Sequence, residues 1–321
     1  MAPLFAQIEA ADVGIRPQVL ETPLEFSPGL AAAAGCHVLL KCEHLQPTGS
    51  FKVRGAANKI RVLSPEARRA GVLTASTGNH GQGVARAGAL AGVAVTVYVG
   101  AGAAPRKIAA IRSFGAEVIA LDGPPIEAEL EARRQAQLQG KTYISPYNDL
   151  DVIAGQGTIG CELARQAPQL SAVFVAVGGG GLISGIGTAL EQLSPRTRIV
   201  GVWPENSPCM LAALEAGAII DTREYPTLSD ATAGAVEAGA VTFPICREVI
   251  DDTVTVTEAE IAAAMRTLAE TDRWIVEGAA GVAVAGLLKS AAAYRGEKVA
   301  AILCGRNIAL DKFLHAIHPL H

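Results

Sequence analysis

Ala172-Val173-Phe174-Val175-Ala176-Val177-Gly178-Gly179-Gly180-Gly181-Leu182 is the stretch on which the fold turns. Its first six residues are apolar throughout and read as a strand. The glycines that follow can take backbone conformations closed to other residues. A helix is expected from about Leu182, so strand, glycine turn and helix make half of a crossover unit.

Outward from this segment, short β-rich runs alternate with Ala-rich helical patterns at residues 71–75, 95–99, 117–121, 142–145, 172–177, 198–203, 252–256 and 298–303. That rhythm predicts an α/β fold with open, mostly parallel, doubly wound sheets, because the strands are too unevenly spaced for a barrel of equal units. Polar breaks at residues 64–69 and 147–151 divide the chain. They predict a small inserted domain at 71–148 and a large domain made of 1–70 and 149–321, with the ligand in the cleft between two lobes.

Half of the 321 residues are hydrophobic, 18% are charged and the net charge is −4, so a large core is available. With no basic run and 4% aromatic residues, an electrostatic nucleic-acid surface is excluded and a small-molecule partner is expected. No apolar run approaches the roughly 20 residues of a membrane span. The first 18 residues include Gln7, Glu9, Asp12 and Arg16 and lack a signal-peptide core. A cytoplasmic location follows as the expectation. Cys36, Cys42, Cys161, Cys209, Cys246 and Cys304 are scattered without metal-type spacing, which fits a reducing compartment, and most read as small apolar filler. His315, His318 and His321 read as a frayed tail, and no metal site is expected.

Four segments carry chemistry. In Thr48-Gly49-Ser50-Phe51-Lys52-Val53-Arg54-Gly55, the amine of Lys52 is boxed in by small and aromatic neighbours. Burial favours its neutral, nucleophilic form, able to form a Schiff base; the plain alternative is a packed stem with its charge in water. Ser76-Thr77-Gly78-Asn79-His80-Gly81 follows a strand and precedes a helix expected near Gln82. Unpaired amides at such a turn suit a carboxylate, the alternative being an ordinary cap by Ser76 or Thr77. Gly178, Gly179, Gly180 and Gly181 can wrap a phosphate with a helix dipole aimed at it. A dinucleotide fingerprint fails in register, since the sixth position from Gly178 or Gly179 is Ile183 or Ser184. No Gly-Lys-Ser/Thr follows either, so a monophosphate fits what remains. Cys304-Gly305-Arg306-Asn307 follows the strand at 298–303, where side chains face the ligand crevice; Cys304 is a weak hydrogen-bond partner there or buried filler.

A Schiff-base lysine, a carboxylate turn, a phosphate cradle and a polar tip are the parts that hold pyridoxal phosphate and an amino acid. Lys41-Cys42-Glu43-His44-Leu45-Gln46 running into Gly49–Gly55, then Ser76 to His80, Val152-Ile153-Ala154-Gly155-Gln156-Gly157-Thr158, Val177 to Leu182 and Cys304 to Asn307 occur in order along nearly the whole chain. In these strings the chain resembles the fold-type II pyridoxal-phosphate enzymes, which share a tryptophan synthase β-like fold, and among them the serine/threonine dehydratases. The resemblance implies that Lys52 carries the cofactor and removes the Cα proton, that Phe51 lies against its ring, and that Asn79 binds its 3-hydroxyl. It further implies that Gly178 to Gly181 hold the phosphate, that Cys304 sits at the pyridine nitrogen, and that Ser76, Thr77, Gly78, Asn79 and His80 bind the substrate carboxylate. The implied activity is a dehydrating ammonia-lyase acting on a 2-amino-3-hydroxy acid, in a homodimer.

Departures from the family's pattern are specific. Trp203 and Cys209 stand where some relatives carry carboxylates for a divalent cation, Ser145 where many have histidine, and Arg306 where most have glycine. Glu277-Gly278-Ala279-Ala280-Gly281 lacks the usual Pro-Thr. With Asp230-Ala231-Thr232-Ala233-Gly234-Ala235-Val236-Glu237, these strings look most like the hydroxyectoine-utilisation dehydratase branch. That branch implies a hydroxylated diaminobutyrate-like substrate. From the short stretch after Asn307, no C-terminal regulatory domain of the biosynthetic threonine deaminase kind is expected. Two other readings remain: a serine or aspartate racemase, with Thr77 as the acid on the opposite ring face, and a nicotinamide oxidoreductase, supported by the glycine run and Glu205 alone.

Overall fold

The computed structural model describes residues 1–318, so His321 lies outside it. Among the described residues there are ten strands: β1 (Leu24–Phe26), β2 (His37–Lys41), β3 (Val72–Ala75), β4 (Val95–Val99), β5 (Glu117–Ala120), β6 (Thr142–Tyr143), β7 (Ala172–Ala176), β8 (Arg198–Pro204), β9 (Asp252–Val256) and β10 (Lys298–Ile302). They form a six-stranded sheet in the order β1-β2-β10-β7-β8-β9 and a four-stranded sheet in the order β5-β4-β3-β6. Every neighbouring pair is parallel except β1 with β2.

The strands expected from residue 71 onward are all found within a residue or two of their expected ends, and the doubly wound architecture stands. β1 and β2 are additions to the sequence expectation. β2 is short, begins at exposed His37 and ends on Lys41, a charged residue with no exposure at all, so neither alternation nor an apolar run marks it. Two smaller corrections follow. Residues 64–69 are no mere polar break: Ser64 caps the helix Pro65–Ala70 with a bond from the Ala67 amide at 3.2 Å. His315 is not frayed but lies on the exposed side of the helix Leu310–Ile317, which buries Phe313.

Every residue of β7 is buried, so both of its faces are covered. The helices Gly181–Leu193 and Gly278–Ser290 pack against it. β2, β10 and β7 are adjacent and parallel, so their carboxyl ends share one edge of the large sheet. From that edge leave the segment leading to Lys52, the segment beginning at Cys304, and the glycine run. β3, flanked on both sides in the small sheet, leads from its own carboxyl end into Ser76. Open α/β sheets place ligands at such edges.

The helix Lys52–Val62 belongs to both halves. Its Val53, Ala56 and Ile60 join Val72, Val95 and Val97 in the hydrophobic cluster of the small sheet. Its Arg54 turns the other way and is fully buried. The guanidinium of Arg54 donates to Glu43 at 2.7 Å through Nε and again through Nη2, and to Glu162 at 2.7 Å through Nη1. Lys41 adds a bond of 2.5 Å to Glu162. Burial opposes charge on Glu43, but the Arg54 guanidinium outweighs it and holds the carboxyl below its ordinary range.

Replacing Arg54 by Met would leave two carboxylates facing each other without their shared counter-ion. Chemical denaturation should show a loss of about 3–5 kcal/mol. Arg69→Met, which breaks an exposed pair with Glu66, should leave the denaturation midpoint nearly unchanged.

Candidate active site

Lys52 is the first residue of its helix, and its position is set by the strand end beside it. Ser50 and Gly305 form an isolated antiparallel bridge, the Phe51 amide donates to the Cys304 carbonyl at 3.0 Å, and the Arg306 amide donates to the Gly49 carbonyl at 2.9 Å. These bonds stitch the turn before Lys52 to the end of β10, which brings Phe51, Lys52 and Cys304 together. The Lys52 amine lies 5.0 Å from the centroid of the Phe51 ring and donates to the Pro146 carbonyl at 2.7 Å. Burial lowers its pKa to about 8, with Cys304 and Glu277 pulling weakly in the opposite direction. The adjacent helix N-terminus also disfavours a cation.

Lys52 stands where two chambers meet. One, of about 630 Å³, is lined by Phe51, Cys304, Gly178 to Gly181, Tyr147 and residues 231–237. The other, of about 550 Å³, is lined by Ser76 to His80, Arg106, Lys107, Asp230, Glu277 and Lys312. Ser76, Thr77 and Asn79 line both.

The glycine run forms a cradle. Gly180 has φ +86°, a left-handed conformation, and precedes the helix Gly181–Leu193 without any side-chain cap. The first amides of that helix therefore lack intrahelical acceptors. A Cβ on Gly179 would lie 2.5 Å from the Tyr147 ring and one on Gly178 would lie 2.9 Å from the Thr232 backbone, so only bare backbone fits here.

The turn after β3 differs from its sequence reading. The helix begins at Asn79, three residues before the expected start, and its N-cap is Gly78, with no capping side chain. Ser76 Oγ instead accepts from the Gly78 amide at 3.2 Å. The first intrahelical bond runs from the Gln82 amide to the Gly78 carbonyl, which leaves the preceding amides for an anion. The His80 ring is tied into the small lobe, its Nε2 donating to the Ile144 carbonyl at 3.0 Å. Burial and then the nearby Lys52 hold its pKa down to about 3, so it stays neutral, and Nδ1 is buried with no partner among the described residues.

Cys304 is buried, and its surroundings push its thiol well above the ordinary value, burial first and Glu277 second. The other five cysteines are also buried and unpaired. Glu277 is a site residue that sequence reasoning missed. Asn79 Nδ2 donates to its two carboxylate oxygens at 2.8 and 3.0 Å, and Asn307 Nδ2 donates to Asn79 Oδ1 at 2.6 Å. The available signals were its place at the head of the string Glu277–Gly281, singled out above only for its missing Pro-Thr, and a carboxylate immediately before an apolar helix rich in small residues.

Where a cation site was doubted, Trp203 is fully buried and Cys209 packs beside Ser207. Among the described residues no cluster of His, Cys, Asp and Glu could hold a metal ion. The long stretch between the helices Cys209–Ala216 and Thr242–Val249 is fastened by Glu224, which accepts from Ser207 Oγ at 2.5 Å and from the Gly234 amide at 2.8 Å.

A lysine amine near neutrality, a side-chain-free anion cradle and a protonated thiol fit a phosphorylated pyridine aldehyde. Residues 15–305 match the family described as pyridoxal-phosphate dependent enzyme. The chain belongs to this family. Membership removes the nicotinamide reading of the glycine run.

Relatives within the family are close. An L-threonine ammonia-lyase of Thermotoga maritima is 41% identical over 95% of this chain and 75% of its own length. The processed threonine deaminase isoform 2 of Solanum lycopersicum superposes with a TM-score of 0.93 at 35% identity, covering 97% of this chain and 92% of that one. A serine racemase of Dictyostelium discoideum superposes with a TM-score of 0.88 at 33% identity, covering 95% and 99%.

In the cofactor-stripped protein, reductive methylation of Lys52, followed by peptide mass mapping, should rise with pH to a midpoint near 8. A midpoint near the ordinary lysine value would contradict the burial account. Gly179→Val should weaken pyridoxal phosphate binding roughly tenfold or more in equilibrium dialysis, because the added carbons occupy the space against Tyr147.

Proposed function

We propose that this enzyme is a dehydrating ammonia-lyase that converts a 2-amino-3-hydroxy acid into a 2-oxo acid and ammonia. The observation that carries the reading is the pairing, at one cavity, of the Lys52 amine with the protonated thiol of Cys304. The ammonia-lyase and deaminase relatives support it.

Pyridoxal phosphate bound on Lys52 would supply the carbonyl for the substrate's amino group and the ring that draws electrons from Cα. The cradle Gly178 to Gly181 would anchor the phosphate, and the amides after Gly78 would orient the substrate carboxylate. Lys52, once displaced, is the base for the Cα proton, and its lowered pKa keeps a useful neutral fraction at physiological pH. The Cα–H electrons would form the Cα–Cβ double bond as the Cβ–O bond breaks, and the hydroxyl would leave as water with the proton that Lys52 took from Cα. The resulting enamine would hydrolyse in water to the 2-oxo acid and ammonia. Cys304 would face the cofactor's ring, and its thiol, unlike an aspartate, would not hold a ring nitrogen protonated, which would weaken electron withdrawal and favour prompt loss of a β-leaving group.

The finer reading is that the substrate is a hydroxylated diaminobutyrate-like compound of hydroxyectoine breakdown, handled by a cytoplasmic homodimer. Its support lies in the strings around Ser145, Asp230 to Glu237 and Glu277. Ser145 Oγ accepts from the Asn148 amide at 3.0 Å and shapes the turn carrying Tyr147. Among the described residues no helix is long and apolar enough to cross a membrane.

One observation favours a racemase as second reading: the Thr77 side chain belongs to a residue lining both chambers beside Lys52, and a serine racemase superposes closely. Chiral analysis of recovered substrate separates the two, since D-enantiomer outpacing keto acid would favour racemisation.

Lys52→Ala should abolish the visible absorption of the holoenzyme and lower turnover by at least about 10²–10⁴-fold; retained turnover would sink the assignment. A keto-acid assay over serine, threonine, 3-hydroxyaspartate, phenylserine and hydroxylated diaminobutyrates tests the substrate. Preference for the last supports the finer reading, and preference for threonine overturns it.

A further inference from the structure

Glu277 is a buried carboxylate to which the reaction above gives no task. It stands immediately before the helix Gly278–Ser290, where the helix dipole tolerates an anion. Its own amide donates to the Gly305 carbonyl at 3.1 Å, and a Cβ at Gly305 would lie 2.5 Å from Oε1. The carboxylate is thus pressed against the end of β10. From there it touches both halves of the site: Asn79 Nδ2 at 2.8 and 3.0 Å, and Cys304 Sγ at 3.9 Å from Oε1.

These contacts decide how two residues face the cavity. An Asn side chain can turn its oxygen or its nitrogen either way. Here Asn307 donates to Oδ1 and Glu277 accepts from Nδ2, so a flipped amide would set oxygen against carboxylate and nitrogen against nitrogen. One hydrogen on Nδ2 serves Glu277, and the second remains for a ligand. The thiol behaves likewise. An ionised Glu277 accepts a hydrogen bond from the Cys304 thiol, which turns a sulfur lone pair toward the cavity, whereas a protonated Glu277 can donate to sulfur and leave the S–H free to turn toward the cavity.

We propose that Glu277 is a positioning residue for the cofactor, setting through Asn79 and Cys304 the hydrogen bonds offered to its ring. The inference rests on the pyridoxal-phosphate assignment. Burial raises the Glu277 carboxyl above its ordinary range, with Asn79 acting in the opposite direction. The other groups that face it are Lys52 from its helix, Cys304 after β10, Lys107 from the helix Pro105–Arg112, and Asp230 from the segment over the cavity.

The test uses holoenzyme and Glu277→Gln, which keeps the size of the side chain but sets an NH₂ where Asn79 needs an acceptor. The visible absorption band and its pH titration should shift, and pyridoxal phosphate should dissociate about tenfold more readily in equilibrium dialysis. The kcat should fall by more than KM changes. The double variant with Asn79→Ala should bind the cofactor no more weakly than Asn79→Ala alone, because both remove one interaction. Asn307→Ala, which frees the other side of the same amide, should give a milder form of the same spectral shift and serves if Glu277→Gln does not fold. An unchanged band and affinity in Glu277→Gln, or fully additive losses in the double variant, would overturn the proposal. A wild-type protein without a visible band would instead refute the cofactor assignment, so the two failures are distinguishable.

Discussion

The fork of Arg54 between Glu43 and Glu162 is the constraint on which the rest of the structure depends. Two residues along the same helix from Lys52, it ties that helix to the segment after β2 and to the helix Leu150–Gln166. The other face of the helix supplies apolar side chains to the small sheet. Lys52 is therefore held from both sides, by ion pairs in one direction and by packing in the other. Buried ion pairs contribute little net stability, but they are costly to break and specific in geometry. A catalytic amine needs that specificity, since small errors in its placement carry large rate penalties.

Burial perturbs three titratable groups at the meeting of the chambers, Lys52, His80 and Cys304. Burial lowers Lys52 toward the physiological range, keeps His80 uncharged and holds the Cys304 thiol protonated. Under the proposed function, a phosphate and a carboxylate would fall to backbone amides at two uncapped helix starts, one after Gly180 and one after Gly78. Backbone amides are uncharged and do not ionise in the physiological range, so they can bind anions without adding charge beside Lys52.

The departures in sequence become intelligible through packing. Trp203 fills core space beneath Gly201, and the strap over the cavity is fastened by Glu224 to Ser207 and Gly234. A carboxylate accepting two protein donors does there what a fixed ion could do elsewhere, holding a long irregular segment in place. Tyr147, against Gly179, extends the same strap through its hydroxyl, which accepts from the Glu237 amide at 3.0 Å.

Much of this was legible in the linear sequence. The alternation of short β-rich runs with Ala-rich helical patterns marks parallel sheets, and a glycine run after a strand marks backbone that must approach a ligand, so the sheets and the cradle could be read from order; the roles expected of Lys52 and Cys304 came from the family resemblance. β2 could not, because its end is a lysine neutralised by a glutamate 121 residues away. The early start of the Asn79 helix was hidden because its cap is a glycine with no side-chain signature. Glu277 was invisible as a site residue because its partners are 198 and 27 residues distant. The sequence by itself determined which local structures form and which chemistry is on hand, since periodicity and glycine placement act over a few residues. Only the tertiary structure decided which charges are buried, and hence which groups are neutral and which way Asn79 and Cys304 face, because desolvation and pairing depend on neighbours that the chain brings together only on folding.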